Sequence, residues 1–437
     1  MSRKIQDGNF KYFFLKIFVD MMLKRSYRKF QIEGSENIPK NSSVIWATNH
    51  TNALMDALVI LSLTKGQKVF VARADIFKKP FVIKLLTFFK LMPIYRIRDG
   101  IESVKHNDEV IAHAVDILSD GVPLSIFPEA THRAMHSLLR LSKGVFHITT
   151  SVYEKSGDDR PVYILPIGID YGDYFRYRST VLIRFGEPIN VTKFMNEHKD
   201  FAQPILMQML RDILTAKMSS LIAYVPDDED YDAVWEYAKI HADNKSYFNA
   251  AIKKIEEKSG KLKGLMRIQA VNKYAIEEAL EFKKNNGERA SELFQQIDAR
   301  RLWRIQNGVS AYSIASDNIL NDYLCKTMLV LLGLPYFVFS LITTIIIWLP
   351  TFFILRMIKD DAFYNSARFM VRLILSFFSF SSWTIFFFCL LPPFIAIPLT
   401  VLLIPAYSYL NDFNELLRRW ASDLRWMINR KKAPQVE

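Results

Sequence analysis

From Thr327 to Leu355 the chain reads TMLVLLGLPYFVFSLITTIIIWLPTFFIL, twenty-nine residues without a charge, where about twenty suffice to cross the hydrocarbon core of a bilayer. A second uncharged run of thirty-nine residues, Leu373 to Asn411, is punctuated by Pro392, Pro393, Pro398 and Pro405. It predicts one span with an interfacial segment, or a tight pair of spans. The alternative for both runs is a buried helical hairpin, which their length and lack of charge disfavour. The N-terminal pattern is different. In YFFLKIFVDMMLKRSYRKF, Lys16, Asp20, Lys24 and Arg28 recur every four residues and share a helical face, while Phe13, Phe14, Ile17, Phe18, Met21 and Met22 fall largely on the others. The charges interrupt any apolar core, so neither a signal peptide nor a spanning helix fits. Residues 1–31 predict an interfacial amphipathic helix, or one packed on the core by its apolar side.

Between Ile32 and Val191 short β-rich runs alternate with helical patterns: Ser43 to Thr48, Lys68 to Ala72, Met92 to Ile97, Pro123 to Phe127, Val162 to Ile169 and Val181 to Phe185. This alternation predicts an α/β domain over 32–200, a sheet flanked by helices. One of those helices opens after Asp99-Gly100, carries Ile101, Val104, Ile111, Val115 and Leu118 on one face, and closes at Gly121. Residues 201–320 are rich in Lys, Glu, Ala and Gln with few strand formers, and predict a helical accessory region. Membrane segments then occupy 321–412 and a basic tail 413–437.

Charge and composition refine this picture. The chain has 57 Lys and Arg against 45 Asp and Glu, a net +12, which suits an anionic membrane surface or a nucleic acid. The apolar runs and the lack of a basic-aromatic stripe decide against nucleic acid. Arg418, Arg419, Arg425, Arg430, Lys431 and Lys432 in the tail place it in the cytoplasm by the positive-inside rule. The chain is thus expected to be a multi-pass integral membrane protein with its α/β domain and both termini cytoplasmic. Cys325 and Cys389 are the only cysteines and both lie in apolar stretches, which excludes a disulfide framework and a Cys-built zinc site.

Three segments carry the chemistry. TNHTNALMD, Thr48 to Asp56, places an imidazole and a carboxylate at the end of the first central strand. There His50 is suited to take a proton from a substrate hydroxyl, with Asp56 fixing the tautomer and stabilising the imidazolium. PIYRIRDG puts Arg96 and Arg98 at another strand end, and LSIFPEATHR puts Glu129, His132 and Arg133 at a third. A base, its acidic partner and several cations suit a phosphate-bearing alcohol that must be held and deprotonated. His132 and His136 are four residues apart, as zinc ligands on a helix can be, but no Glu stands between them in the metalloprotease arrangement, and no metal is expected. No Gly-x-Ser-x-Gly sequence exists, so a lipase is excluded.

In these residues the chain resembles the glycerolipid acyltransferases of the PlsC-like superfamily. The family's Asn-His…Asp block is similar to Asn49, His50 and Asp56; its second block to Pro93 to Arg96; its Phe-Pro-Glu-Gly-Thr-Arg block to Phe127 to Arg133; and its hydrophobic run around a proline to Ile164 to Ile169 with Pro166. Three departures stand out. His50 and Asp56 are separated by five residues rather than the usual four, so the turn must bulge or another group, Asn52 first, must meet the imidazole. Ala130 replaces the usual Gly, and the basic residue arrives as His132-Arg133. The longer spacing and the C-terminal membrane segments are similar to some fungal-type glycerol-3-phosphate acyltransferases.

The resemblance implies transfer of a fatty acyl group from an acyl thioester, on coenzyme A or acyl carrier protein, to a hydroxyl of glycerol-3-phosphate, with no cofactor beyond that cosubstrate. His50 and Asp56 are the implied catalytic pair, and Asn49, Asn52, Arg96, Glu129, Thr131, His132 and Arg133 the implied substrate contacts. Membrane lipids and a glycerol-phosphate acceptor are the implied partners. The rivals are a 1-acylglycerol-3-phosphate (lysophosphatidic acid) acyltransferase, which differs only in acceptor, and a membrane-anchored scaffold in which the stretched motif has lost catalysis.

Overall fold

The computed structural model describes residues 4–95, 107–156 and 160–436. The chain forms two compact units, one of Met1–Lys24, Phe30–Phe175 and Val181–Ile222, the other of Arg25–Lys29, Arg176–Thr180 and Ala223–Glu437.

The first unit is built on a mixed sheet. Its strands are β1 (Lys29–Glu33), β2 (Ser43–Thr48), β3 (Val69–Arg73), β4 (Leu91–Ile94), β5 (Leu124–Ile126), β6 (Val162–Tyr171), β7 (Thr180–Phe185) and β8 (Ile189–Asn190). They lie in the order β1-β7-β6-β2-β5-β3-β4, with β8 also on β6. Each of the six apolar runs contains a strand, and the last two residues of the run Met92 to Ile97 lie outside the described residues. β1 and β8 are additional, the first because Lys29 and Glu33 hide its apolar content, the second because two residues carry no pattern. The strands from β6 through β4 are parallel, whereas β7 and β8 run antiparallel to β6.

Parallel neighbours need crossover connections, and the helices supply them: α1 (Phe10–Ser26) precedes the sheet, followed by α2 (Ala53–Ser62), α3 (Pro80–Phe88), α4 (Asn107–Ser119), α5 (Gly144–Ser156), α6 (Val191–Glu197) and α7 (Gln203–Leu221). All six residues of β2 are buried. Its Ile45 and Ala47 join Val115 and Leu118 of α4, Phe146 and Val152 of α5, and Leu210 and Leu214 of α7 in one apolar core. α4 ends as expected at Gly121, whose φ of +77° suits a residue without a Cβ; the stretch expected to open it after Asp99 lies outside the described residues. The register sets Ala47 beside Ile126 and Thr48 beside Ile167. The loops after β2 and β5 and the last residues of β6 therefore emerge together at one edge of the sheet.

α1 has apolar residues on both its buried and its exposed sides. Tyr12, Lys16, Val19 and Leu23 are buried, and Lys16 pairs with Asp20. Phe10, Phe13, Phe14, Ile17, Phe18 and Met21, spaced at three and four residues, are exposed, Phe10 to 76%. Arg28 falls beyond the helix end at Ser26 and is not on its charged face. The helix thus buries Lys16 among apolar side chains and leaves Lys24 outside with an apolar face, while Met22, expected on that face, is buried.

The second unit is helical. α8 (Tyr231–Asp243), α9 (Lys245–Ser259), α10 (Leu265–Asn285), α11 (Gly287–Gln306) and the one-turn α12 (Ala311–Ile314) make the accessory region. The acidic run near Asp228 is an inter-helix clamp: Lys283 holds Asp228 and Asp230, and Arg301 holds Asp232. Beyond it lie α13 (Ile319–Thr343), α14 (Ile345–Met357), α15 (Tyr364–Leu390) and α16 (Pro393–Asn429). Three stretches, Ile319–Thr343, Asp361–Leu390 and Pro393–Lys432, are long and apolar enough to cross a membrane. The run 373–411 is a pair of helices broken at Leu391–Pro392. The run 327–355 is not continuous: the helix is interrupted at Thr344, where Thr343 and Thr344 donate their hydroxyls to the carbonyls of Phe339 and Ser340. Cys325 and Cys389 are exposed on the helix surfaces.

Candidate active site

The site lies in the first unit, at the edge where β2 and β5 end. Asp56, in the first turn of α2, is fully buried, and its Oδ2 meets His50 Nδ1 at 2.8 Å. The same oxygen accepts the backbone N–H groups of Thr51 and Asn52, both at 2.7 Å, while Oδ1 accepts the Tyr171 hydroxyl at 2.8 Å. Four donors thus meet the two oxygens of this side chain. The five-residue gap is absorbed by a local backbone adjustment: Ala53, the first residue of α2, has φ +43°. The turn bulges, and Asn52 is not needed as a substitute partner.

The imidazole is also fixed in plane. It stacks on Phe127 with ring centroids 4.3 Å apart, and His132 stands across it at 5.6 Å. The His50 side chain is 17% exposed, so one edge of the ring remains reachable while Nδ1 faces the protein. Nε2 is therefore the atom available to a substrate.

Glu129 braces this arrangement from β5. Its two carboxylate oxygens accept the backbone N–H groups of His50 and Leu139, each at 2.8 Å. Burial pushes the carboxyl up from 4.5 to about 7, against the two backbone donors that favour ionisation. The unfolded chain releases this proton near pH 4.5 and the folded chain near 7, so stability falls as pH rises through that window, by about 3 kcal/mol. Chemical denaturation of the intact protein between pH 4.5 and 7.5 should show that decline, and Glu129→Gln should flatten it; an equal slope in the variant would assign it to another group.

Asn49 and Asn52 turn inward. The Asn49 amide exchanges two hydrogen bonds with the backbone of Ile169, 3.0 and 2.7 Å, and Asn52 Nδ2 donates to the Tyr174 carbonyl at 2.8 Å. At 2% and 1% exposure they tie the His50 loop to β6 rather than facing the cleft. Arg133 is half-buried; its backbone N–H donates to the His50 carbonyl at 3.0 Å and its guanidinium to Ser137 Oγ at 2.7 Å. Thr131 is exposed on the same loop. His136 is not on a helix and lies buried with Nδ1 3.6 Å from Asp170. Arg96 and Arg98 lie outside the described residues.

Ala130 occupies the position of the family's glycine with φ +59°, a conformation in which a Cβ costs about 1 kcal/mol. Ala130→Gly is expected to leave the loop in place and to gain about 0.5 kcal/mol in denaturant unfolding, the relief being partly offset by a more flexible unfolded chain; a loss of stability would refute strain at this position.

Tyr171 and Tyr174 are contributions that motif reading missed. Both follow the apolar run of β6, where a polar Asp170-Tyr171 pair at the strand's end was the available signal.

A family model described as Acyltransferase matches residues 29–170, from β1 through the Tyr171 end of β6. This segment is similar to acyltransferase domains. The chain is similar to the chloroplastic 1-acyl-sn-glycerol-3-phosphate acyltransferase of Arabidopsis thaliana, 26% identical over 142 residues that cover 32% of this chain and 37% of that one. It is also similar to the 1-acyl-sn-glycerol-3-phosphate acyltransferase of Borreliella burgdorferi, 31% identical over 103 residues, 24% and 39% of the two chains. The chain thus spans less than two-fifths of the length of these relatives. Among solved structures, PlsC from Thermotoga maritima aligns at 21% identity with a TM-score of 0.34, over 48% of this chain and 80% of its own. The matched segment contains the His50–Asp56 pair and the Glu129 brace.

Proposed function

We propose that the acyltransferase domain moves a fatty acyl group from an acyl thioester to the free hydroxyl of a 1-acylglycerol-3-phosphate at a membrane surface. The observation that carries this reading is the imidazole of His50, held through Nδ1 by a buried carboxylate with Nε2 toward an open edge. Nε2 takes the hydroxyl proton as that oxygen attacks the thioester carbonyl; the C–S bond breaks, and the imidazolium returns the proton to the departing thiolate. The products are an ester and a free thiol, with no covalent bond to the protein and no cofactor. Arg133, oriented by Ser137, and Arg96 hold the phosphate, and His132 lines the approach to His50.

The names of the two relatives, both 1-acyl-sn-glycerol-3-phosphate acyltransferases, support this acceptor; glycerol-3-phosphate is the second reading. The exposed aromatic stripe of α1 and the three apolar helices support a membrane location, and the basic residues of the tail support a cytoplasmic C-terminus. Membranes containing the protein would be given a labelled acyl-coenzyme A with either acceptor, the His50→Ala protein serving as the blank. Label in a doubly acylated product supports the proposal; label only in a singly acylated product from glycerol-3-phosphate supports the second reading; transfer to neither, by folded protein, overturns both.

A further inference from the structure

Arg372 lies in α15 and is 5% exposed. Its Nη1 donates to the Tyr177 hydroxyl and reaches Ser26 Oγ at 3.4 Å, while the guanidinium sits over the rings of Tyr177 and Tyr407, 5.6 and 5.4 Å from their centroids. Nε and Nη2 make no hydrogen bond to any described residue, and no described carboxylate is within ion-pair distance. The carboxylates on the facing helix are already engaged. Asp412 takes Arg28 and both oxygens' worth of Arg178, and Glu415 takes Arg176 and Arg419. The buried Lys326, by contrast, has Asp423 as its counter-ion. A buried cation without an anion is strongly unfavourable, so the charge of Arg372 calls for a partner outside the chain.

Position along the helix says which anion is at hand. After Arg372, α15 continues through eighteen uncharged residues to Leu390, and α16 runs nineteen uncharged residues from Pro393 before Asp412. At about 1.5 Å per residue, eighteen residues span roughly 27 Å, close to the thickness of the hydrocarbon layer. The two helices are joined by the break at Leu391–Pro392, so Arg372 and Asp412 mark the same end of the apolar length. Tyrosines cluster where lipid headgroups begin, and Tyr177 and Tyr407 enclose the guanidinium there. Arginine's planar fork, with two donors left over, matches two phosphate oxygens.

We infer that Arg372, with Tyr177 and Tyr407, forms a binding site for the phosphate of an anionic glycerophospholipid, in the helical unit and separate from the His50 chemistry. The phosphate accepts from Nε and Nη2 and supplies the missing negative charge.

The full chain would be reconstituted in nanodiscs of phosphatidylcholine alone and with one-fifth phosphatidylglycerol, and its thermal unfolding followed for wild type and Arg372→Met. Wild type should rise by about 5 °C with phosphatidylglycerol and Arg372→Met by under about 1 °C. Phosphatidylcholine also carries a phosphate, but its own choline cation neutralises it, so in phosphatidylcholine alone Arg372→Met should be at least as stable as wild type. Adding millimolar inorganic phosphate to the phosphatidylcholine discs should not reproduce the wild-type rise; if it does, the ligand is free phosphate and the lipid assignment fails. Equal shifts in wild type and Arg372→Met overturn the site. Should Arg372→Met not fold, Arg372→Lys replaces it: the fork is lost, and the shift should fall by at least half, an unchanged shift overturning the proposal. His50→Ala should show the full wild-type rise, so this test stands or falls independently of the acyl-transfer reading.

Discussion

Replacing His50 by alanine should lower acyl transfer by about 10³- to 10⁴-fold while the protein still folds and enters membranes. Removing a positioned general base costs about 10²–10⁴ in rate, and no neighbour can take over. Glu129 has both oxygens committed to backbone N–H groups, and Asp56 is fully buried behind the imidazole. His132 is the nearest other imidazole, but its ring centre is 5.6 Å away and it is not backed by Asp56. The structural cost is small because the ring is a partly exposed plate on Phe127 rather than a core residue. The rate of labelled product formation, set beside the unfolding temperature, checks this. Activity above about a tenth of wild type with normal folding would remove His50 from the role of base.

Asp56→Asn should reduce the rate nearly as much through a different route. Asp56 accepts from four donors, three at Oδ2 and one at Oδ1. An asparagine can place its oxygen toward the three donors and its NH₂ toward Tyr171, whose hydroxyl can accept as well as donate. The loop is then preserved but the negative charge behind the imidazolium is lost. The analogous change in a serine-protease triad lowers turnover by about 10⁴, and a fall of at least 10³-fold with little change in KM is expected here. In the reverse orientation the NH₂ would oppose three donors and cost about 1–3 kcal/mol. Measuring kcat, KM and denaturant midpoint together separates these outcomes. Near-normal turnover would mean that Asp56 serves folding alone.

Much of this site is legible in the chain because its chemistry is carried by strand ends. β2 and β5 are recognisable as apolar runs, and a parallel register brings their C-terminal residues together without further instruction, so His50 and Glu129 meet as a consequence of topology. Asp56 is legible only as a candidate, since its contact with His50 depends on the positive φ of Ala53, a backbone property that a side-chain pattern does not encode. The inward turn of Asn49 and Asn52 is likewise hidden, because an amide that holds a neighbouring strand and one that holds a ligand look alike in a motif. Tyr171 approaches from β6, more than a hundred residues along the chain, and only the antiparallel and parallel neighbours of that strand fix where its end lies. The break at Thr344 is hidden for a third reason: hydropathy registers an uncharged run and not a change of backbone direction within it.

The outward aromatic stripe of α1 changes what concentration means for this domain. With an acceptor of the kind proposed, a domain held at a lipid surface meets it in two dimensions, so the quantity that governs encounter is molecules per unit of membrane area rather than molecules per litre. Suspending the same membranes in a larger volume alters nothing that the bound domain experiences. Mixing inert lipid into those membranes spreads the acceptor apart and slows every encounter, and the stripe thereby makes the composition of the bilayer, more than its amount, the variable to which the domain responds.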